Sequence, residues 1–578
     1  MIPDYDPVKH MRQESNEKNM LGRLLHTAYT LFEKPYSTTK EEDMSAKWPV
    51  DTVFHEIILT VEASQCRVCG WPLNYRSHRI HRLHSLQGPL QLVCHLACCF
   101  NPQCSEHEVL VNPEAERLIA MPYWRMGWDV LLWKGFRRYT RHWSVPHIQA
   151  ELTDSYHIRF TIQTIAKYLR TYQVMVAAWP QDITRLRTLY REQSDVLLTI
   201  DGIQPEKGHE TLYVVRELRL QRVWFAESLL SSSTAEIRKL IQQAKQRVQE
   251  LEKPVGGWMS DKQDAFVTTI AAEFPGTPHR YCANHFLRDV AVLMVELDSQ
   301  VKVQMRKNVR GLRTLEKATL AALDQPPIAP FPLSEDQRRY AAQIVLDYCA
   351  AVRGILNDNH GGPLRPAGWR MAEGLETLCQ SLERNLQLPP TPIRAQLAQL
   401  RGYIQRGLAI YAGERRRIAG YMQQIQRVWD TLSPAQGPRD DRLATFRQLS
   451  EQFSQTTDPI THHMGKVMQS FEAGLFVGSP DLDWLTDNLD LERWIKCPKG
   501  HERRIHGRQH VGRRMIIEGP TLLPALDAHV GRTVPFTVDD LLPYADENVP
   551  ESQQQAVERH RVMKKARAKK NATPSSHN

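Results

Sequence analysis

The chain has 578 residues, which is too many for one hydrophobic core and predicts about three to five domains. Its 42% hydrophobic and 24% charged residues are ordinary for a globular protein. It contains no apolar run of about eighteen residues, which excludes a membrane-spanning helix, and we expect no signal peptide because the first residues lack an apolar segment. The net charge of +9 favours a polyanionic partner, with a basic enzyme that binds no nucleic acid as the alternative.

Residues 1–50 predict a helical arm and a polar linker, and residues 51–115 predict a zinc-ribbon-like domain. Six of the ten cysteines lie in the second segment, and in a chain without a secretion signal such a cluster favours a metal over disulfides. We expect a tetrahedral structural Zn²⁺ held by Cys66, Cys69, Cys99 and Cys104. Reduced buried thiols are the alternative, and the ligand set stays open because other donors lie in the same stretch, namely Cys94, His95, Cys98 and His107.

Three histidines in this segment recur at a spacing of three residues, at His78, His81 and His84. Arginines lie beside them in the sequence. We therefore expect these histidines to belong to a basic surface and not to bind the metal.

Residues 116–190 predict a helix-turn-helix-like DNA-binding domain. Residues 144–171 contain two helical patterns around a polar turn, with Ser144 and Thr161 as candidate caps. In such a motif the second helix enters the major groove, so the candidate base-reading residues are Gln163, Thr164 and Lys167. A helical hairpin that binds nothing is the alternative.

Residues 191–290 predict the first part of an α/β domain. Three apolar runs follow each other through short polar turns and predict an antiparallel meander, namely VLLTIDG, TLYVVREL and RVWFAESLL. A helix with a capping box at Ser233 and Glu236 comes next. Two further strands, VGGWMSD and HRYCAN, follow with a helix between them. The order β-β-β-α-β-α-β predicts a ribonuclease-H-like mixed sheet.

Three acidic residues stand out in this pattern. Asp201 ends the first strand, Asp261 ends the fourth, and Glu492 opens a basic segment of helical pattern. Converging carboxylates repel each other unless a cation lies between them, so we expect a hard divalent ion such as Mg²⁺. The alternatives are a turn beginning at Asp201, a helix cap at Asp261 and, in place of Glu492, three nearby rivals, namely Asp490, Glu502 and Glu518.

Residues 291–480 are helical in pattern and predict an insertion, in which we expect Trp369 to be a core residue rather than a platform for a base. Residues 481–535 predict the rest of the α/β domain. A dense basic run after Glu492 predicts phosphate contacts by Lys499, Arg503, Arg504, Arg508 and Arg513. Residues 536–578 predict a C-terminal segment that is basic and disordered from about residue 552.

At these motifs the chain resembles DDE-type transposases of bacterial insertion sequences, in the branch related to Mutator-like elements. Asp201 and Asp261 match the two aspartates of that family, and Cys282 and His285 match the C-x-x-H motif that follows the second one. The segment TDNLDLER matches the block that ends in the catalytic glutamate, here Glu492. The 231 residues from Asp261 to Glu492 (492 − 261) match the place where this branch carries a helical insertion.

Two positions in that block differ in how well they match. Asn488 fits the asparagine that precedes the glutamate, whereas Asp487 stands where the family often has a second asparagine.

Cys282 and His285 lie three residues apart, on one helical turn. Zinc would need two more ligands, and the neighbouring sequence offers none, so we expect these two side chains to pack and hydrogen-bond beneath the active site.

The resemblance implies a transposase that binds double-stranded DNA at the element's terminal repeats and at the target. It implies two Mg²⁺ ions, with Mn²⁺ as a substitute, held by Asp201, Asp261 and Glu492 during cleavage and strand transfer. It also implies a homodimer or larger assembly on DNA, no membrane, and a place in the bacterial cytoplasm with the nucleoid. Two other readings stay open: a transposase-derived DNA-binding protein that no longer cuts, and a ribonuclease-H-like nuclease.

Overall fold

A computed structural model describes residues 48–49, 51–204, 210–324, 334–387, 393–478, 482, 487, 489–507 and 512–572. The chain divides into two compact units of mixed α and β structure. The first comprises Met1–Lys134, Gln149–Ile165 and Phe536–Leu542, and the second comprises Gly135–Ile148, Ala166–Pro535 and Pro543–Asn578. Among the helices of the described ranges, none combines the length and apolar character needed to cross a bilayer.

The first unit contains a small sheet. Its strands are β1 (His55–Leu59), β2 (Leu73–Ser85), β3 (Gly88–Cys99) and β4 (Leu110–Val111), followed by helix α1 (Ala115–Ile119). β3 lies between β1 and β2, and β4 pairs with its end; β1 is parallel to β3, whereas β2 and β4 are antiparallel to it. Alternate residues of β2 and β3 face the core, which is built from Leu59, Leu83, Leu90, Leu92, Cys94, Leu96 and Ala120.

The three histidines of β2 do not form one basic surface. Residues three apart on a strand point to opposite faces, and accordingly His78 is exposed whereas His81 is buried. His81 Nδ1 lies 2.8 Å from a carboxylate oxygen of Glu116. His84 packs on the ring of Trp48, and burial lowers its pKa to about 4. The prediction fails because it treated the strand spacing as though all three side chains shared a face.

Four helices follow, at α2 (Trp128–Tyr139), α3 (Val145–Tyr156), α4 (Ile162–Ala178) and α5 (Ile183–Leu189). Both predicted caps are present. The His147 backbone N–H donates to Ser144 Oγ over 3.3 Å, and the Thr164 N–H donates to Thr161 Oγ1 over 3.2 Å. The helix, turn and second helix expected in residues 144–171 are therefore confirmed as secondary structure.

The second unit contains the larger sheet. Its elements in chain order are β5 (Val196–Ile203), β6 (Thr211–Glu217), β7 (Arg222–Leu229), α6 (Thr234–Leu251), β8 (Val255–Ser260), α7 (Asp264–Glu273) and β9 (His279–Tyr281). The strand order across the sheet is β7-β6-β5-β8-β9. The first three strands are antiparallel, whereas β5, β8 and β9 are parallel. This confirms the predicted meander followed by helical crossovers.

In helix α6 the hydrophobic spacing agrees with the packing, whereas the predicted capping box is absent. The apolar residues at helical spacing face the core: Val248 is half-buried, and five are buried, namely Ile237, Leu240, Ile241, Ala244 and Leu251. Ser233 is the N-cap, but its side chain makes no capping hydrogen bond. Its backbone N–H donates to Ser231 Oγ, and the Glu236 carboxylate instead accepts from Lys239 Nζ. The predicted capping box is therefore wrong, because the Ser233 backbone N–H and the Glu236 carboxylate have other partners.

A helical region follows the sheet, as the sequence predicts. It contains α8 (Ala283–Asn308), α9 (Leu312–Ala321), α10 (Glu335–Asn357), α11 (Ala367–Gln387), α12 (Arg394–Leu432), α13 (Arg439–Ser454) and α14 (Pro459–Leu475), whose buried apolar side chains form one continuous core. Trp369 packs against this core, and its indole N–H donates to Glu373 over 2.7 Å. Its predicted core role is confirmed.

The last helices are α15 (Leu489–His506), α16 (Gly512–His529), α17 (Val538–Leu541) and α18 (Glu551–Ala572). α18 occupies the segment expected to be disordered, so that prediction is wrong as far as Ala572. The helix is held by contacts that its composition does not reveal. Ala556 is 1% exposed, Gln553 bonds Thr521 over 2.8 Å, and Arg559 forms an ion pair with Glu210 over 3.3 Å.

Candidate functional site

Asp201 lies where two parallel strands separate. It pairs with Val214 of β6, whereas the pairing of β5 with β8 ends at Thr199. The strand continues beyond Asp201 to Ile203, so the predicted position at the strand end is wrong by two residues. Gly202 is also paired within the sheet and does not begin a turn. The carboxylate therefore stands at the open edge beside β8.

Asp261 directly follows the last residue of β8, as predicted. Because β8 is parallel to β5, its carboxyl end reaches the same edge of the sheet as Asp201. The N-cap of the next helix is Gln263, so the alternative role of Asp261 as a helix cap is wrong. Among the described residues, its buried Oδ1 atom has no hydrogen-bond partner. A buried acceptor of this kind is costly unless a cation or solvent satisfies it.

Glu492 belongs to the first turn of α15. An arginine from the sheet holds this helix: Arg216 Nε donates to Asp490 over 2.8 Å, and its Nη1 donates to Asp527 of α16 over 2.9 Å. The same guanidinium lies over the ring of Trp494. Arg216 therefore fixes α15 against β6 and positions Glu492. Sequence reasoning missed this residue, although a lone arginine within the apolar run TLYVVREL was a signal.

The charges around Asp201 connect it with the other two acidic residues. Burial raises the pKa of Asp201 to about 6, with the charges of Asp261 and Glu492 raising it and that of His285 lowering it. Burial likewise raises the pKa of Asp261, against the opposing effect of His285. Because a like charge raises the pKa of a carboxyl only at short range, Asp261 and Glu492 both lie near Asp201. Their roles as metal ligands stay a prediction.

Cys282 and His285 lie beside this cluster. Cys282 is the N-cap of α8, and His285 is in the helix's first turn. One ligand atom each from Cys282, His285 and Glu492 lie within 4.8 Å of one another. The expectation that no further ligand lies near the cysteine–histidine pair is therefore wrong. Glu492 supplies a third donor, and it is 207 residues away in sequence (492 − 285).

The three acidic rivals of Glu492 are engaged in ion pairs. Asp490 binds Arg216, as described above. Glu502 and Glu518 both bind Arg514, over 2.7 and 2.9 Å. Of the four acidic residues, Glu492 is therefore the one that the fold brings to Asp201 and His285.

The basic run after Glu492 is divided between surface and interior. Arg503, Arg504 and Arg513 are exposed and Lys499 is half-buried, whereas Arg508 lies outside the described residues, as does Asn488. His501, in the same run, is fully buried and stacks on Tyr139. The run therefore does not form one continuous solvent-facing patch, although exposed arginines remain for phosphate contacts.

The candidate base-reading residues occupy the first turns of α4. Gln163 and Lys167 are exposed, and Thr164 is half-buried behind its hydrogen bond to Thr161. Gln163 and Lys167 lie four residues apart and so share one side of the helix. Their role in contacting DNA bases stays a prediction.

The four predicted cysteines do form a cluster that could hold a metal such as zinc. The sulfurs of Cys66 and Cys104 lie 3.8 Å apart, and those of Cys69 and Cys99 lie 3.5 Å apart. Sulfurs around a tetrahedral Zn²⁺ with bonds of about 2.3 Å lie about 3.8 Å apart, so the spacing fits a metal and not disulfides. Cys94, a competing candidate, is instead part of the apolar core.

Backbone geometry shapes the first half of this cluster. The Gly70 N–H donates to the carbonyl of Cys66, and Gly70 has a φ of 70°, which a residue with a side chain rarely adopts. A hydrogen bond from the Trp71 backbone lowers the pKa of Cys69 to about 7. A thiol that ionises near neutral pH is suited to bind a metal.

Comparison with known proteins gives no assignment. No family model matches the chain, and no curated protein matches it significantly.

Proposed function

We propose that this chain is a DDE-type transposase that binds double-stranded DNA and carries out Mg²⁺-dependent cleavage and strand transfer. The observation that carries the proposal is that Asp201 and Asp261 lie at one edge of the sheet and that Glu492, on α15, lies near Asp201. The mixed sheet, with three antiparallel strands followed by two parallel ones, supports a ribonuclease-H-like core. The helical region lies between the second and third carboxylates in sequence, as the resemblance implies.

The donor set fits a hard cation. Carboxylate oxygens are the preferred ligands of Mg²⁺, and the Oδ1 atom of Asp261, which is buried and has no partner among the described residues, is available to one. Asp201, Asp261 and Glu492 would hold the two ions, with Asp201 as the candidate to contact both. When bound, such ions would activate an attacking oxygen and stabilise a leaving oxygen.

The chain's own residues supply position and charge. Arg216 holds α15, which carries Glu492, on the sheet whose strands β5 and β8 carry or precede the two aspartates. Holding the carboxylates in place before the reaction reduces the reorganisation that the chemistry requires. Arg503 and Arg504 lie about three turns further along α15, exposed and able to contact DNA phosphates.

The direct test is a strand-transfer assay. The protein is incubated with Mg²⁺, a donor DNA bearing the ends that flank the coding region, and a target plasmid. Joined products support the transposase. Cleavage without joining would favour a ribonuclease-H-like nuclease, and binding without either would favour a DNA-binding protein that has lost catalysis.

The first prediction concerns Asp201. Asp201→Asn removes a charged ligand but keeps its shape, so we expect DNA binding to persist while cleavage falls by at least about a thousandfold. The matched control is Asp195→Asn, just before β5, where the carboxylate is paired with Arg219. Gel-shift and cleavage assays on both variants check this. Cleavage retained by Asp201→Asn would remove the residue from the mechanism.

A further inference from the structure

A second kind of metal site overlaps the proposed catalytic one. Cys282, His285 and Glu492 place a sulfur, an imidazole nitrogen and a carboxylate oxygen within 4.8 Å of one another. Three ligands around a tetrahedral Zn²⁺ are about 3.3–3.8 Å apart, given bond lengths of about 2.0–2.3 Å. The three donors therefore need to approach one another by at most about 1–1.5 Å to close on one ion.

The local fold prepares this arrangement. The backbone of Cys282 leaves β9 and caps α8, and its N–H donates to the carbonyl of Ser260 over 2.8 Å. The cysteine is fully buried among Leu197, Met259 and Leu482. His285 follows one turn later, and its Nδ1 atom is buried without a hydrogen-bond partner in the described part of the chain. The start of α8 thus positions the pair, and one nitrogen of the His285 ring, which lies near Glu492, is unsatisfied.

The chemistry of the donors selects the ion. Mg²⁺ prefers an all-oxygen environment and avoids thiolate. Sulfur and imidazole prefer borderline metals, and three protein ligands with one open position are typical of a reactive zinc site. Glu492 would belong to both donor sets, so the two kinds of ion compete for it.

We propose that Cys282, His285 and Glu492 form a transition-metal site, which binds Zn²⁺ or Co²⁺ and thereby withdraws Glu492 from the Mg²⁺ site. The proposed metal site rests on the geometry of the three donors alone. The competition between this metal and Mg²⁺ for Glu492 rests on the proposed function. Zinc then inhibits the Mg²⁺-dependent reaction by occupying a carboxylate that the reaction needs.

The test counts cobalt ions on the full-length protein. Co²⁺ bound to thiolate gives a charge-transfer absorption, and metal analysis after desalting gives the stoichiometry. We expect two ions per chain, one in the four-cysteine cluster and one here. Cys282→Ser and His285→Gln should each keep one ion, and the matched control Cys349→Ser, a buried cysteine of α10, should keep two. Circular dichroism checks that each variant is folded.

One ion in the wild-type chain, or two ions in both folded site variants, would overturn the metal site. Inhibition is then measured against each variant's own zinc-free rate. Because loss of even an outer partner costs about 10–100-fold in metal affinity, the zinc concentration for half-inhibition should rise at least about tenfold in Cys282→Ser. Two cobalt ions on a protein that cleaves no DNA in Mg²⁺ would support the metal site and contradict the proposed function.

Discussion

A single buried arginine links the sheet to the helix that carries Glu492. Arg216 is 4% exposed and binds two carboxylates on two different helices, Asp490 and Asp527. Asp527 is itself buried and also accepts the Val223 N–H. A buried charge without a partner destabilises the folded state. Removing Arg216 would therefore leave the Asp527 carboxylate buried and uncompensated.

The second prediction follows from this contact. Arg216→Met leaves Asp527 buried without its cation, so we expect unfolding free energy to fall by about 3–5 kcal/mol. The control, Arg219→Met, removes a more exposed arginine that pairs with Asp195 and should cost about 1 kcal/mol or less. Urea unfolding measures both. Equal losses would show that Arg216 does not have this structural role.

A buried neutral histidine makes stability depend on pH. His529 is 4% exposed and accepts from Tyr172, while its other ring nitrogen donates to the Ala525 carbonyl. Burial lowers its pKa from 6.5 to about 4. Between these values the unfolded chain binds a proton that the folded chain does not, so stability is complete above pH 6.5 and is lost as the pH falls towards 4.

The third prediction is the size of that loss. The lowered pKa of His529 corresponds to about 3 kcal/mol between neutral pH and pH 4. His529→Gln keeps a donor and an acceptor but cannot titrate, so its stability should vary less with pH by about this amount. Urea unfolding at a series of pH values tests it, and an unchanged pH slope in the variant would contradict it.

At the scale of elements, α8 connects the candidate site to the helical region. The first turn of α8 contains His285. Further along the same helix, Asp298 is buried against the first residues of α11. Asp298 accepts from the backbone N–H groups of Gly368 and Trp369, over 2.6 and 2.9 Å, and from the Tyr411 hydroxyl over 3.1 Å. One carboxylate thus satisfies the open N–H groups of one helix and binds another.

The fourth prediction tests this cap. Asp298→Ala removes three hydrogen bonds to a charged acceptor and should destabilise the chain by about 3 kcal/mol or more. Glu296→Ala, two residues away on the exposed side of α8, should change stability by less than about 0.5 kcal/mol. Thermal and urea unfolding of both variants would contradict the role of Asp298 if the two losses were similar.

For the whole molecule, the two compact units have different sources of stability. The second is built around large apolar cores, whereas the first has a small core and the four-cysteine cluster. Small cores commonly need a metal or disulfides. We therefore expect metal to stabilise the first unit directly.

The fifth prediction follows. Cys66→Ser should remove one zinc ion per chain and lower the stability of the first unit, while the second unit stays folded. Cys94→Ser, in the core of the same sheet, should keep the zinc content. Metal analysis and hydrogen exchange resolved along the chain measure both effects. Unchanged zinc content in Cys66→Ser would show that the ligands were wrongly chosen.

Local patterns predicted much of this protein. Alternating and helical spacing of apolar residues located the strands of the large sheet, the helix from Thr234 and the helical region. These patterns are local, because they depend only on residues a few positions apart in the sequence. They failed where a distant contact decides the outcome. The helix from Glu551 looked disordered by composition, yet Gln553 and Arg559 find partners at Thr521 and Glu210.

The amino-acid sequence alone determined the order of elements in the large sheet, the four cysteines that cluster, and the candidates Asp201, Asp261 and Glu492. Only the tertiary structure decided that Glu492, and not a neighbouring acid, lies near Asp201 and beside Cys282 and His285. The physical reason is that helix placement depends on packing and buried ion pairs between residues hundreds of positions apart. Arg216 is the clearest case, since its partners lie 274 and 311 residues away.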